Sequence, residues 1–294
     1  MSEEFLWLIR RRSSSMDYDL DDLVIEEKTC NLLKQYLANP SHALMLTGVI
    51  GCGLGTIARS LAYQIAKANI VFLQPTLHNK QKTSIINADD IADLSVVTRD
   101  HRRDRLVIII DDADRTAPGV FERLLKLIEE PVSGVHYIFT AHNLSNIPVT
   151  ILSRSSFIKV NTPSSEDCQI LYKGLDAAKK AQIKFLADRK PSLIYKLIND
   201  QSFFDNSVKS MEIAKELFQA KLGRKIEIVS NISEREQAID VCYKLERIIL
   251  RIANRSNANS NKALQRLDVL TSVVDRISAN SNLKTELLYL ATNL

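Results

Sequence analysis

The chain has 294 residues, of which 45% are hydrophobic and 25% charged, a composition that predicts a globular protein of two or three domains. No apolar run reaches the roughly 20 residues of a transmembrane helix, and the four cysteines form no CxxC pair that would bind zinc or act in redox chemistry. We expect a cytoplasmic protein with reduced thiols. The net charge of +4 permits contact with nucleic acid but does not argue for it, because a binding surface needs clustered charge.

The first predicted elements are a tail, a helix and a strand. Residues 1–20 are expected to form an N-terminal tail, because their apolar core is shorter than that of a signal peptide. Apolar residues then recur at helical spacing from residue 23 to 37, and the segment NPSHA should end that helix. The segment ALML is typical of a short buried strand that leads into a glycine-rich loop.

Strands and helices alternate from this loop to residue 160, and such alternation predicts a parallel α/β sheet. RLVIIIDDAD is a continuous apolar run that ends in carboxylates, as expected of a strand buried on both faces. The other predicted elements are the helix TIARSLAYQIAKA, the strand NIVFLQP, the helix start NADDIADLSVVT, the helix APGVFERLLKLIEEP, the strand VHYIFTAHN, and the short helix and strand of IPVTILSRSSFIKV.

Beyond residue 160 the pattern is helical, and only KIEIV has some strand character. NTPSSED is interpreted as a hinge, and NDQSFFDNS as a separator within the helical half. We therefore predict an α/β domain at 21–160, a small helical lid at 161–205 and a C-terminal helical domain at 206–294.

The glycine-rich loop follows the spacing of a phosphate-binding loop, with Gly48, Gly51 and Gly53. A working loop also needs a lysine for the β- and γ-phosphates and a hydroxyl for magnesium. Leu54 stands at the lysine position and Gly55 at the hydroxyl position, with Thr56 one residue later. Because leucine can neither donate a hydrogen bond nor neutralise charge, the loop is either a degenerate nucleotide site or a plain strand-to-helix turn.

The acidic end of the strand LVIIIDDAD has the form of a Walker B motif. Asp111 would hold magnesium. Asp112 stands where an active ATPase with such a phosphate-binding loop carries a glutamate that polarises the attacking water. An aspartate is one methylene shorter, so the geometry would suffer even with nucleotide bound. Acidic residues also occur at the end of many parallel sheets, and that interpretation stays open.

Together these segments resemble the AAA+ clamp-loader subunits of bacterial DNA polymerase III. The resemblance rests on the DDAD box, the LLKLIEEP helix, the strand followed by Asn143 and the TILSR segment. It extends over most of residues 21–294 and is weak in the lid. It implies an AAA+ domain, a helical lid and a C-terminal collar domain that joins other subunits, with Asn143 as the sensor 1 residue.

Within this family, the missing lysine points to the delta-prime type of subunit, which typically does not hydrolyse ATP. The resemblance implies that Arg154, in Ser153-Arg154-Ser155, is an arginine finger that acts in trans on ATP and magnesium at a neighbouring subunit. The family's cysteine-rich zinc module is absent, so we expect no zinc or other metal, and no cofactor is assigned to this chain. Arg189 matches the family's sensor 2 arginine poorly.

The implied partners are a motor subunit and a clamp-opening subunit bound through the collar, the sliding clamp, and primer-template DNA contacted without reading its sequence. Possible phosphate contacts are Arg59, Arg99, Arg102 and Arg103, although RDHRRDR is more typical of a solvated loop. Two alternatives remain. One is an active, motor-type AAA+ ATPase, against which the missing lysine argues. The other is a non-enzymatic interaction module on a decayed AAA+ scaffold, against which the TILSR segment and the collar-like C-terminus argue.

Overall fold

The computed structural model describes residues 19–67, 69–76, 84–92, 94, 97–98, 105–253, 260–279 and 281–294. Contacts divide the chain into two compact units, Met1–Tyr195 and Lys196–Leu294. Most of the predicted N-terminal tail and nearly all of the basic cluster RDHRRDR lie outside the described residues. The division into domains at 21–160, 161–205 and 206–294 stays a prediction.

The first unit is built on a five-stranded parallel sheet with the strand order β2-β3-β4-β1-β5. The predicted alternation of strands and helices is therefore confirmed. The strands are β1 Ala43–Gly48, β2 Ile70–Leu73, β3 Leu106–Ile110, β4 Val135–Ala141 and β5 Ser156–Val160. Because all five run in the same direction, the loops that follow their carboxyl ends meet at one edge of the sheet.

Six helices accompany this sheet in the described residues: α1 Glu27–Ala38, α2 Leu54–Ala66, α3 Pro118–Glu129, α4 Val149–Leu152, α5 Ala177–Ala187 and α6 Pro191–Asn199, which runs into the second unit. Helix α1 begins four residues later than the apolar pattern predicted. Glu26 is extended, and its carboxylate accepts the backbone N–H of Thr29 at 2.9 Å, which caps the helix there.

Hydrophobic side chains cover both faces of the sheet. Strand β3 is buried along its whole length, as its continuous apolar run predicted. Ile108 belongs to a core with helix α3, whereas Ile109 belongs to a core with helix α2. This alternation follows from the two-residue period of a strand and fixes its register between the two helical layers.

The segment NADDIADLSVVT is described only in part, because residues 93 and 95–96 lie outside the described residues. Its first residues form a turn rather than a helix start. The side-chain oxygen of Asn87 accepts the backbone N–H groups of Asp89 and Asp90, at 2.8 and 3.1 Å. Asparagine therefore acts here by closing a local turn onto the backbone.

The described part of the second unit is helical, with α7 Gln201–Gln219, α8 Leu222–Ser230, α9 Arg235–Ala253, α10 Ser260–Ser278 and α11 Leu283–Asn293. Its core contains Leu217, Val241, Val273 and Leu290. The segment KIEIV, which had some strand character, lies in helix α8 and buries Ile228 and Val229 against this core. Among the described helices of the chain, none combines the length and apolar character needed to cross a membrane.

Candidate functional site

The glycine-rich loop connects β1 to α2, and each of its three glycines has a steric reason. Gly51 and Gly53 have φ angles of 88° and 94°, a region that side chains with a Cβ rarely adopt. A Cβ on Gly48 would lie 2.7 Å from the carbonyl oxygen of Val160, on the neighbouring strand β5. The loop is therefore tight and closely packed, and its role as a degenerate nucleotide site stays a prediction.

The first turn of helix α6 is docked on this loop. The backbone N–H groups of Ser192 and Leu193 donate to the carbonyl oxygen of Gly51, at 3.0 and 3.3 Å. The first N–H groups of a helix have no partner within the helix, so the loop satisfies two of them. A Cβ on Gly51 would also lie 3.0 Å from the Cβ of Leu193. The loop thus serves as a packing and hydrogen-bonding surface for its own chain.

The residues at the lysine and hydroxyl positions of the loop pack against other parts of the chain. Leu54 is the first residue of α2, is only 3% exposed and belongs to the core on that face of the sheet. Next to it, a Cβ on Gly55 would lie 2.7 and 2.9 Å from the two carboxylate oxygens of Asp111. A small cavity lies beside the glycine loop, and the half-buried Thr56 lines it together with Asp111 and Asp112.

The end of β3 is joined to the end of β4 by a short hydrogen-bonded chain. The hydroxyl of Thr140 donates to Asp111 Oδ1 at 2.7 Å and accepts the backbone N–H of Asp112 at 2.9 Å. Asp112 has a left-handed backbone, with φ 48° and ψ 50°. Burial raises the pKa of the Asp112 carboxyl, and the neighbouring charge of Asp111 raises it further. The Walker B-like carboxylates therefore lie together, but in a setting that disfavours a second negative charge.

His142 extends into this cavity, and sequence reasoning missed it. Its Nδ1 lies 2.7 Å from the carbonyl oxygen of Gly48, which can only accept, so Nδ1 carries a proton. Its Nε2 lies 3.5 Å from Asp112 Oδ1. Strand periodicity predicts that His142 shares a face with Thr140, but only the pairing of β3 with β4 brings that face to Asp111.

Asn143, the sensor 1 candidate, lies beside this cavity and caps a short turn. Its side-chain oxygen accepts the backbone N–H of Ser145 at 3.0 Å. Asp114 in turn accepts the backbone N–H groups of His142 and Asn143, at 3.1 and 2.8 Å. Asp114 therefore holds the chain at the end of β4 and sets the direction of His142. Asn143 does not line the cavity, and its sensor role stays a prediction.

A magnesium-bound nucleoside triphosphate does not fit the residues around the glycine loop. The cavity there has a volume of about 220 Å³, below the ~300–1,000 Å³ of ordinary ligand pockets. The only Lys or Arg among its described lining residues is Arg59, whose guanidinium lies 4.0 Å from the ring centre of Phe72. Asp111 and Asp112 add negative charge, and Leu54 stands where the loop's own lysine would contact a polyphosphate. The described lining residues therefore offer such a ligand too little positive charge and too little space.

Arg154 lies at a second, separate site, between helix α4 and strand β5. Its Nη2 forms an ion pair with Glu129 Oε1 at 2.8 Å, and its Nη1 donates to the carbonyl oxygen of Thr150 at 3.2 Å. The side chains of Arg154 and Glu129 are 40% and 39% exposed. They line an open surface pocket of about 500 Å³ together with His42, Ile128 and Pro131.

The two sites lie at opposite edges of the sheet. Ser156, which begins β5 two residues after Arg154, pairs with Leu44 near the start of β1. The glycine loop follows Gly48, at the end of the same six-residue strand. At a rise of about 3.3 Å per residue, the edges are on the order of 16 Å apart. Arg154 therefore lies at the other end of the strands from the glycine loop of its own chain.

The remaining arginine candidates give no further site. Arg189 is exposed between α5 and α6 and does not line the cavity at the glycine loop. Arg99, Arg102 and Arg103 lie outside the described residues. Their predicted roles stay predictions.

Comparison with known proteins finds similarity to DNA polymerase III subunits. Residues 67–164 match the family described as "DNA polymerase III, delta subunit". The chain is 28% identical over 171 residues to the DNA polymerase III subunit gamma of Buchnera aphidicola subsp. Schizaphis graminum, a match that covers 50% of this chain and 47% of that protein. The match thus spans about half the length of this curated relative.

Two solved structures share the fold at low sequence identity. A DNA polymerase III gamma subunit-related protein from Thermotoga maritima aligns with a TM-score of 0.51 and 17% identity, over 89% of this chain and 97% of its own. A variant of Thermotoga maritima RuvB aligns with a TM-score of 0.52 and 14% identity, over 84% and 92%. These likenesses support the AAA+-type architecture. The chain therefore has an AAA+-like α/β fold followed by a C-terminal helical region, and it is similar in sequence to DNA polymerase III subunits of the delta type and the gamma type.

Proposed function

We propose that this chain is a non-hydrolysing, delta-prime-type subunit of a DNA polymerase III clamp loader, and that Arg154 acts in trans on ATP bound by a neighbouring motor subunit. The observation that carries this proposal is the separation of the two sites. The glycine loop packs against the first turn of α6, and Leu54 beside it is buried. Arg154, in contrast, is exposed at the opposite edge of the sheet. A residue placed there cannot serve its own loop but is accessible to another subunit.

The chemistry of Arg154 suits this role. A guanidinium stays charged at all physiological pH values and presents several donors in a plane that matches phosphate oxygens. During hydrolysis, charge develops on the γ-phosphoryl group, and an arginine placed there stabilises the transition state. The partner of Arg154 in this chain is an exposed carboxylate, and exposed ion pairs of this kind are weak. The side chain can therefore exchange Glu129 for phosphate at little cost.

The glycine loop supports the non-hydrolysing part of the proposal. Leu54 is buried at the position where a lysine would contact phosphates, and Gly55 offers no hydroxyl for magnesium. Asp112 takes the place of the glutamate that polarises water in active ATPases of this class. The first two differences each remove a group that hydrolysis requires, and the third shortens the side chain that carries the carboxylate, so we expect the isolated chain to be inert.

The rest of the proposal concerns assembly in the cytoplasm. The C-terminal helices would form the collar that joins the motor and clamp-opening subunits, and the complete assembly would load the sliding clamp on primer-template DNA. Helix N-termini and basic side chains would contact DNA phosphates without reading the base sequence. We expect zinc to play no part, because the chain lacks the cysteine-rich module of many relatives.

The similarity to subunits named gamma favours one second candidate, a motor-type ATPase. The two candidates differ in one measurable property. A motor-type subunit binds and hydrolyses ATP through its own glycine loop, whereas a delta-prime-type subunit changes only its partners' rate. The buried Leu54 and the small cavity beside it favour the second behaviour.

The proposal is tested by reconstituting the chain with a motor subunit, a clamp-opening subunit, clamp and primed DNA. The ATPase rate is compared for wild type, Arg154→Ala and the isolated chain. Arg123→Ala is the matched control, since Arg123 is also an exposed arginine of the first unit. We expect an inert isolated chain, an unchanged rate for the control, and a loss of at least about tenfold for Arg154→Ala. Hydrolysis by the isolated chain would instead identify a motor-type subunit.

A further inference from the structure

We infer that Glu129 is a positioning residue that holds Arg154 within its own chain until the polyphosphate of a neighbouring subunit displaces it. This contact restrains hydrolysis in an assembly that has not yet engaged clamp and DNA. The inference rests on the proposed function, because it gives Glu129 a role only if Arg154 acts in trans. It adds a regulatory contact that neither the glycine loop nor the Walker B-like carboxylates provide.

The contacts of Arg154 show what the carboxylate does to it. Nη2 is paired with Glu129 at 2.8 Å, while Nη1 donates to the Thr150 carbonyl at 3.2 Å and to Ser153 Oγ at 3.3 Å. Both terminal nitrogens thus have acceptors in their own chain. The negative charge of Glu129 also offsets the positive charge that would attract phosphate. Arg154 in this arrangement is oriented, but it is partly neutralised.

Local helix stability does not explain a carboxylate at this position. Glu129 is the last residue of α3, and Glu130 is its C-cap. The C-terminal end of a helix carries partial negative charge, so acidic side chains there are unfavourable and basic ones are favourable. Two successive glutamates therefore act against the helix. Of these two, Glu129 has Arg154 as an ion-pair partner.

The surroundings allow the ion pair to open. Both side chains are more than a third exposed and line the open pocket of about 500 Å³, so Arg154 can rotate without disturbing the core. A triphosphate carries several negative charges and accepts a guanidinium through two oxygens at once, whereas Glu129 makes a single short contact. A correctly placed phosphate therefore competes successfully for Arg154.

The experiment measures the ATPase rate of the reconstituted assembly without clamp and DNA. Glu129→Gln keeps the size of the side chain and removes its charge. We expect this change to raise the rate about two- to fivefold, the equivalent of the ~0.4–1 kcal/mol of an exposed ion pair. Glu130→Gln makes the same change in charge one residue away and is expected to leave the rate unaltered. The ratio of Glu129→Gln to wild type should approach one as ionic strength rises, because salt screens exposed pairs.

Two further variants separate the possible failures. Adding Glu129→Gln to Arg154→Ala should produce no increase, because the held group is gone. An increase in that background, or a Glu129→Gln rate equal to or below wild type while Arg154→Ala loses activity, would overturn the inference and leave the proposed function intact. An unchanged rate for Arg154→Ala itself would overturn both. Thermal unfolding provides the stability control, and Glu129→Gln should unfold close to the wild-type temperature, because loss of the ion pair and relief of the helix C-terminus offset each other.

Discussion

The two edges of the sheet differ in how their polar groups are used. At the edge where the strands end, Gly51 is hydrogen-bonded to the first turn of α6, Leu54 lies in the core, and Asp111 packs against Gly55. At the opposite edge, where the strands begin, Arg154 is exposed beside an open pocket and forms a weak surface ion pair with Glu129. In one molecule, the glycine loop is part of the packing, whereas the Arg154 side chain is accessible to solvent.

This difference predicts that stability and activity separate along the sheet. Substitutions at the glycine-loop edge should cost folding free energy and leave the partners' chemistry alone. Substitution of Arg154 should do the reverse, because exposed residues contribute little to stability. The following changes test this separation, from the largest expected loss of stability to the smallest effect.

Leu54→Ala should be the most destabilising of these changes. Leu54 is 3% exposed in the core beside α2, and truncating such a leucine typically costs about 2–5 kcal/mol of unfolding free energy. Leu32→Ala is the control, because Leu32 is 47% exposed on α1 and should change stability by less than about 0.5 kcal/mol. Chemical denaturation measures both. The ATPase rate of the assembly is measured at a temperature where the Leu54→Ala variant is still folded. If Leu54→Ala lowered that rate as far as Arg154→Ala does, a role of Leu54 in packing alone would be wrong.

Asp114→Ala should cost less, about 1.5–3 kcal/mol, because it removes a charged acceptor from two backbone N–H groups. Those groups belong to His142 and Asn143, at the end of β4. Asp114→Asn keeps one carbonyl oxygen as an acceptor and should lose less. The measurement is again the free energy of unfolding. Equal stability of the alanine variant and wild type would show that Asp114 does not hold this segment.

Asp112→Asn should have the smallest effect and the opposite sign. Burial, followed by the charge of Asp111, raises the Asp112 pKa above its ordinary value of 3.8. The folded state therefore binds the proton more tightly, and wild-type stability falls as pH rises from that value through the raised pKa. Asparagine removes the charge and also tolerates the left-handed backbone at this position.

The pH dependence provides the check on Asp112. The melting temperature of Asp112→Asn should exceed that of wild type at neutral pH, and the difference should shrink toward zero as pH is lowered below the ordinary aspartate range. A variant less stable than wild type at neutral pH would mean that the contacts of Asp112 with His142 and Arg115 outweigh its burial.

Much of the first unit could be predicted from local patterns. The apolar run of β3, the glycine loop before α2 and the short α4 helix ahead of β5 are confirmed, because each depends on neighbouring residues along the chain. The start of α1 was predicted four residues early, since the periodic pattern does not reveal that Glu26 caps the helix. KIEIV is helical because the helical core, rather than residue preference, decides its conformation.

The details of the candidate site depend on contacts between distant parts of the chain. Thr140 meets Asp111 because β3 and β4 pair in one particular register, and His142 follows from that pairing. The docking of α6 on Gly51 joins residues that are far apart in sequence. No local pattern encodes such contacts. Arg154 was singled out by the resemblance to a known family. Its place at the edge opposite the glycine loop could be found only from the pairing of β5 with β1.

We propose above all that Arg154 acts on ATP bound by a neighbouring subunit. The most direct measurement is the ATPase rate of the complete assembly with Arg154→Ala, together with the melting temperature of that variant and the rate of the isolated wild-type chain. We predict a loss of at least about tenfold in the assembly, an unchanged melting temperature for the variant and an inert isolated chain. An unchanged rate in an intact assembly, or ATP hydrolysis by the isolated chain, would contradict it.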